Sequence, residues 1–306
     1  MSDGGTQTAR TGAATLIGLG AILLWSALAL MTAASGKIPP FELLALTFLI
    51  GGLIGSIYAA MRGRLGALVQ PWPVWLVGVG GLFGYHALYF AALRLAPPAE
   101  ASLIAYLWPL LIVLMSALLP GERLSARHIV GALLGFGGAA VLFWGKMGAG
   151  SATMTRATAL GYALALGCAF VWSSYSVLSR RLRRAPTEAV AGFCLVTSAL
   201  AAICHAASET TALPENFSQT AAIVGLGLGP VGLAFYVWDY GVKNGDIRLL
   251  GVAAYAAPVL STLLLVAAGF APATPSLGLA CALIVGGAAA ASRAGKSLRR
   301  YPASPS

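Results

Sequence analysis

From residue 12 onward, apolar runs of about twenty residues alternate with short polar joints. Ten runs can be traced, at about 12–34, 41–61, 72–93, 98–118, 126–145, 158–182, 187–206, 218–242, 247–268 and 274–293. A run of that length with few charges is long enough to cross the hydrocarbon of a bilayer as a helix. The joints are short and leave no room for a separate soluble domain. The flanking stretches 1–11 and 294–306 are polar and predicted to be disordered. The first run exceeds the apolar core of a signal peptide, so it is expected to remain as a span.

Composition agrees. The chain is 58% hydrophobic and 9% charged, against roughly 25% charged in soluble domains. The predicted class is an all-α membrane protein. A net charge of +10 could point to nucleic acid, but the basic residues stand between apolar runs, where they report orientation instead. No nucleic-acid partner is expected.

With the N-terminus placed in the cytoplasm, fifteen Lys and Arg residues fall inside, including the cluster Arg180, Arg181, Arg183 and Arg184. Four fall outside: Lys37, Arg94, Lys146 and Arg156. Both termini are therefore predicted to be cytoplasmic.

A repeat is visible. "AYLWPLL" at 105–111 is echoed by "AYAAPVL" at 254–260, pairing Tyr106 with Tyr255 and Pro109 with Pro258. Arg94 pairs with Lys243 at the same offset, and Trp25-Ser26 is echoed by Trp172-Ser173. The halves, 1–150 and 151–306, hold five spans each. Five is odd, so the second half enters the membrane inverted, as in many secondary transporters, whose substrate sites lie near the midplane between the repeats. A central cavity is expected there.

Proline inside a membrane helix removes an N–H and frees the carbonyl four residues earlier, here Ala105 and Ala254. Matched interruptions in two halves point to a transporter site; a packing kink is the plainer explanation for either proline alone. Aromatic clusters add to the picture. Tyr85, His86 and Tyr89 share a face of the third span. The fourth carries Tyr106 and Trp108, the sixth Trp172, Ser173, Tyr175 and Ser176, and the eighth Tyr236, Trp238, Asp239 and Tyr240. Rings with polar tips suit a pocket for an aromatic or amphipathic solute. The interfacial belt accounts for Trp72, Trp75 and Trp144 at span ends, and accounts poorly for Tyr85–Tyr89.

Ionisable groups are scarce. His86 lies well inside a span, as a substrate contact or as a neutral residue bonded to a neighbouring helix. Asp239 precedes Lys243 by four positions, the spacing of a local ion pair. Glu100 follows Pro97-Pro98 and suits the N-terminus of the fourth span. Whether transport is coupled to protons or sodium stays open. The four cysteines form no CxxC pair, and neither a metal site nor a cofactor is expected. The GxxxG pairs Gly51/Gly55, Gly80/Gly84, Gly131/Gly135 and Gly225/Gly229 are read as close helix crossings.

"LLWSALAL", "YFAALRLAPPAEASLIAYLWPLL", "GERLS" and "FVWSSYSVLSR", in this order and spacing, resemble the EamA-type branch of the drug/metabolite transporter superfamily across essentially the whole chain. The resemblance implies ten helices around a central cavity in a bacterial inner membrane. It implies export of amino acids, notably aromatic ones, and of other small metabolites. It points to His86, Tyr89, Tyr106 and Trp108, and more loosely to Trp172. The acidic "GER" at Gly121–Arg123 has no echo in the second half, where "GFAPATP" stands.

The expected site therefore comprises His86, Tyr89, Tyr106, Trp108, Tyr85, Trp172, Tyr236, Trp238 and Tyr255, with kinks at Pro109 and Pro258. The expected partners are a small-molecule substrate and the lipid bilayer, with the chain acting as a monomer. Other readings are an exporter of drugs or nucleotide sugars, a membrane scaffold or a membrane-embedded enzyme. Anionic sugar phosphates call for buried Lys or Arg, and cationic drugs for a buried carboxylate; both are sparse. An enzyme needs polar catalytic groups clustered at one depth, and none is evident.

The charge pattern makes a direct prediction. Green fluorescent protein fused after Ser306 should fluoresce in cells, and alkaline phosphatase fused at Glu215 should be active. The reverse pattern would overturn the assigned orientation.

Overall fold

The computed structural model describes residues 3–120, 124–144, 155–267, 269 and 273–298. Gly121–Arg123, Lys146, Arg299 and Arg300 lie outside these. Among the described residues every regular element is helical. The α-helices are α1 (Asp3–Ser26), α2 (Leu28–Ala34), α3 (Pro40–Met61), α4 (Trp72–Leu95), α5 (Pro98–Ala105), α6 (Trp108–Ser116) and α7 (Ala126–Trp144). They continue with α8 (Arg156–Arg181), α9 (Ala189–Ser208), α10 (Phe217–Leu228), α11 (Ala234–Asn244), α12 (Ile247–Ala253), α13 (Ala256–Ala267) and α14 (Pro275–Leu298).

Eight stretches are long and apolar enough to cross a membrane, and the shorter Glu100–Ser116 and Ala126–Val141 fill the fourth and fifth places. The expected ten spans are thus present. One expectation fails at both ends: residues 3–11 continue α1 as helix rather than forming a disordered tail, and α14 likewise runs on through residues 294–298.

Local sequence explains the boundaries. Prolines stand in the first turn of α3, α4, α5 and α6, where a missing N–H costs no hydrogen bond. Thr155, Asn216 and Asp246 cap α8, α10 and α12 through their side-chain oxygens, accepting from Thr158, Gln219 and Leu249 N–H groups at 3.1, 3.0 and 3.2 Å.

Four spans are interrupted. The fourth and ninth break after Ala105 and Ala253, as the matched prolines predict. The first breaks at Ala27, and the eighth widens into a π-turn over Gly229–Leu233. Neither of these was anticipated. In the π-turn, Pro230 removes an N–H and the flanking glycines permit the wider coil.

The packing carries the symmetry of the sequence. α3 packs on α9 and α7 on α14, while α4–α8 and α1–α11 form two further close pairs. In span numbers these are 2–7, 5–10, 3–6 and 8–1. Exchanging each span for the one five places away maps the first two pairs onto themselves and swaps the last two. That is a pseudo-two-fold axis, and with five spans per half it lies in the membrane plane. The chain is therefore two inverted five-helix repeats around a shared centre.

Glycine permits these crossings, though not at every expected pair. A Cβ on Gly131 would lie 2.6 Å from the Gly287 carbonyl oxygen of α14, and one on Gly51 would lie 2.8 Å from Gly232 Cα. Gly80, by contrast, faces open space, and Gly84 and Gly225 have ordinary room. Gly131→Ala is expected to cost about 1–3 kcal/mol by overpacking, seen as a lower melting temperature in detergent. Gly80→Ala should leave the melting temperature unchanged. Equal effects would show that the α7–α14 crossing has slack.

Candidate functional site

Four interrupted or facing segments bring aromatic rings together. α4 contributes Tyr85 and His86, one turn from Tyr89. α8 contributes Trp172, the break between α5 and α6 contributes Tyr106 and Trp108, and Phe235 comes from α11. They enclose a cavity of about 100 Å³, completed by Trp25, Leu28, Pro230, Val231 and Ala257.

The rings interlock edge to face. Trp25 sits centrally, with ring centroids 6.2 Å from Trp108, 5.8 Å from Trp172 and 5.2 Å from Trp238. Tyr85 stacks on Tyr89 at 6.0 Å and lies 5.4 Å from Trp172. Edge-to-face and offset contacts of this kind are worth about 0.5–1.5 kcal/mol each beyond area burial.

Polar tips are few, and most are spoken for. Tyr89 and Ser102 hydroxyls share a hydrogen bond of 2.8 Å. Trp25 Nε1 donates to the Pro230 carbonyl at 3.1 Å, tying α1 to the π-turn. Ser173 Oγ lies 2.9 Å from the Trp108 carbonyl and 2.7 Å from that of Ala169, so its one proton serves α6 and its own helix. His86 Nδ1 lies 2.7 Å from the Leu82 carbonyl. A carbonyl only accepts, so Nδ1 carries the proton and Nε2 is left as an acceptor. The same ring packs edge-on against Phe48 at 5.4 Å. Among the described residues the lining carries no Lys, Arg, Asp or Glu.

The expected residues divide. Tyr85, His86, Tyr106, Trp108 and Trp172 line the cavity, with Tyr89 stacked on Tyr85. Trp238 is fully buried behind the cluster, with Nε1 donating to Ser176 Oγ at 3.1 Å. Tyr236 turns away, donating its hydroxyl to the Gly51 carbonyl at 3.0 Å. Tyr255 is buried and its hydroxyl accepts the Leu110 N–H at 3.1 Å. Trp25 and Phe235 were missed as lining residues, although the Trp25-Ser26 echo of Trp172-Ser173 marked the first.

Pro109 and Pro258 shape the breaks. Pro109 occupies the first turn of α6, and the freed Leu110 N–H goes to Tyr255 in the other repeat. Near Pro258, the Ala254 carbonyl is taken up by the Ala257 N–H at 3.1 Å rather than left free. The two Tyr-x-x-Pro elements are therefore not equivalent: the Tyr255 hydroxyl serves backbone, while Tyr106 lines the cavity.

Charges gather at the two ends. At the Arg-rich end, Lys243 Nζ meets Asp239 Oδ2 at 2.7 Å and donates to the Ala185 carbonyl at 2.9 Å. Thr187 donates to Asp239 at 2.8 Å, and Arg180 donates to the carbonyls of Val242 and Gly245. The predicted i, i+4 pair thus fastens the α8–α9 joint to α11. At the opposite end, Glu209 accepts the Phe41 and Glu42 N–H groups at 3.1 and 3.2 Å and pairs with Arg94 and His205. Glu100 begins α5 and accepts a hydrogen bond from the Tyr162 hydroxyl. Trp72 and Trp144 are exposed as a membrane belt requires, but Trp75 packs on Phe193 instead. Among the described residues no three metal-ligating side chains cluster.

Inverted five-helix repeats around a midplane cavity define a secondary-transporter architecture. The EamA-like transporter family model matches twice, over residues 12–144 and 159–293, and the chain belongs to that family. It is 60% identical to the aromatic amino acid exporter YddG of Ancylobacter novellus, over 91% of this chain and 96% of that one. The exporter of the same name from Escherichia coli is 26% identical over 90% of this chain and 94% of that one. A solved crystal structure, 58% identical, superposes with a TM-score of 0.88 over 94% of this chain and 99% of its own.

The inequivalence of the tyrosines is testable. Tyr255→Phe strands a buried N–H and is expected to cost about 1–3 kcal/mol, read as a lower melting temperature. Tyr106→Phe should change stability by less than about 0.5 kcal/mol. Similar losses from both would contradict the assignment.

Proposed function

We propose that this protein is a secondary transporter, not an enzyme, that exports amino acids, aromatic and large apolar ones above all, across a bacterial inner membrane. The observation that carries the reading is the uncharged aromatic cavity where the interrupted spans of both repeats meet. The names of the two exporters above support the substrate class. Both termini face the cytoplasm, in keeping with the charge bias.

The substrate side chain stacks among Trp25, Tyr85, Tyr106, Trp108 and Trp172. The His86 Nε2 and the Tyr106 hydroxyl meet its ammonium or carboxylate through neutral hydrogen bonds. Tyr89 supports Tyr85, and Trp238 and Tyr255 hold the frame behind the site. Tyr236 faces away from the cavity and is assigned no substrate contact. The cavity is smaller than the roughly 300–1,000 Å³ of typical small-molecule sites. Substrate therefore enters as the rings part, and the halves, 1–150 and 151–306, rock about the midplane to expose it to each side in turn. An uncharged lining offers no counter-charge to a sugar phosphate or a cationic drug.

The test is counterflow in liposomes. Vesicles loaded with unlabelled phenylalanine should take up labelled phenylalanine in a protein-dependent way. Tyr106→Ala and Trp108→Ala should each slow entry about tenfold or more, since one lost ring contact is worth about 0.5–1.5 kcal/mol and the hydrogen-bonding tip goes as well. Trp72→Ala, on the lipid face, should transport normally. Unimpaired entry in the cavity variants at normal folded yield would overturn the proposed site.

A further inference from the structure

A second concavity, of about 610 Å³, lies between α3 and the α10–α11 span, at the Arg-rich end of the bundle. Its walls are apolar: Ile54, Leu228 and Leu233 line it and are 46%, 48% and 52% exposed. Gly51, Gly55, Gly227 and Gly232 stand at its base, where they pack against one another, Ile50 and Tyr236 and hold α3 close to the α10–α11 span. Tyr58 and Tyr240 border it, at the level where tyrosines mark a membrane interface.

The rim is basic. Arg64, Arg183 and Lys243 all reach it, against one carboxylate, Glu188. Lys243 is neutralised by Asp239 at 2.7 Å. Arg64 meets Glu188 at 2.6 Å but keeps its side chain 54% exposed. Among the described residues Arg183 makes no ion pair, and it too is exposed. One positive charge is thus left over beside a half-exposed guanidinium with further N–H donors. Such a rim fits an anionic phosphodiester. An apolar trough that ends in tyrosines and then arginines has the polarity profile of a phospholipid, with acyl chain, interface and phosphate in order.

We infer that this groove binds one anionic phospholipid of the Arg-rich leaflet, its phosphate at Arg64 and Arg183 and an acyl chain along Ile54, Leu228 and Leu233. The wall it touches is shared with the central cavity. In the π-turn, Gly232 and Leu233 face the groove while Pro230 and Val231 face the cavity. The lipid therefore contacts the segment that Trp25 holds by its indole N–H.

The test is native mass spectrometry of the purified full chain titrated with dioleoylphosphatidylglycerol or dioleoylphosphatidylcholine. The wild type should retain one phosphatidylglycerol at least fivefold better than phosphatidylcholine, because each basic residue at an anionic headgroup is worth roughly fivefold. Arg183→Gln, and more so Arg64→Gln/Arg183→Gln, should erase that preference. Arg10→Gln/Arg127→Gln, which removes the same charge from the same end of the bundle, should keep it. Ile54→Trp, on the exposed wall, should reduce retention of both lipids. Excess glycerol phosphate should not displace the bound lipid. No preference in the wild type, equal loss in the two double variants, unchanged retention in Ile54→Trp, or displacement by glycerol phosphate would each overturn the proposal.

Discussion

Inside a bilayer, a backbone N–H that loses its helical partner has no water to turn to, and leaving it unsatisfied costs several kcal/mol. Each interruption in this bundle is tolerated because something nearby takes over. The Leu110 N–H, orphaned at the start of α6, is met by the Tyr255 hydroxyl from the other repeat at 3.1 Å. The chain passes the breaks through short-range bonds such as Leu107 N–H to the Ile104 carbonyl and Tyr255 N–H to the Val252 carbonyl. The Pro230 carbonyl in the π-turn accepts the Trp25 indole. Irregular backbone collects at the centre, where Tyr255 and Trp25 each reach it from the opposite repeat, and that same centre holds the cavity.

This arrangement also divides labour between the repeats. Tyr106 and Tyr255 are equivalent by sequence, yet one lines the cavity and the other serves as a backbone acceptor. Trp25 and Trp172 are likewise paired, and both face the cavity, but only Trp25 binds the π-turn. A two-fold scaffold thus produces a site whose walls differ, which suits a substrate with one ring and two unlike charged ends. The charged residues stand apart from it, fastening loops at each end of the bundle.

The ten spans and the inverted repeat were legible because hydropathy and an odd span count follow directly from what a bilayer permits. The third-span cluster was legible for the same kind of reason: Tyr85, His86 and Tyr89 at helical spacing must share a face. Tyr236 and Trp238 could not share one, since two helical steps turn the side chain by roughly 200°, and the structure sends Tyr236 outward to Gly51. The role of Tyr255 was illegible because its partner is 145 residues away. The break at Ala27 carries no proline or glycine, so tertiary packing decides it. The π-turn had a visible Gly-Pro pair, but nothing local distinguishes a π-turn from a plain kink.

The most direct measurement is substrate protection of a cysteine placed in the cavity wall. Leu28 lines the cavity and is 39% exposed, so Leu28→Cys, with the four native cysteines changed to alanine, should react with a membrane-impermeant maleimide. The account predicts that saturating phenylalanine slows this reaction severalfold in the purified protein, while glycine has little effect. Labelling indifferent to phenylalanine, in a variant that still transports it, would contradict the placement of the substrate among these rings.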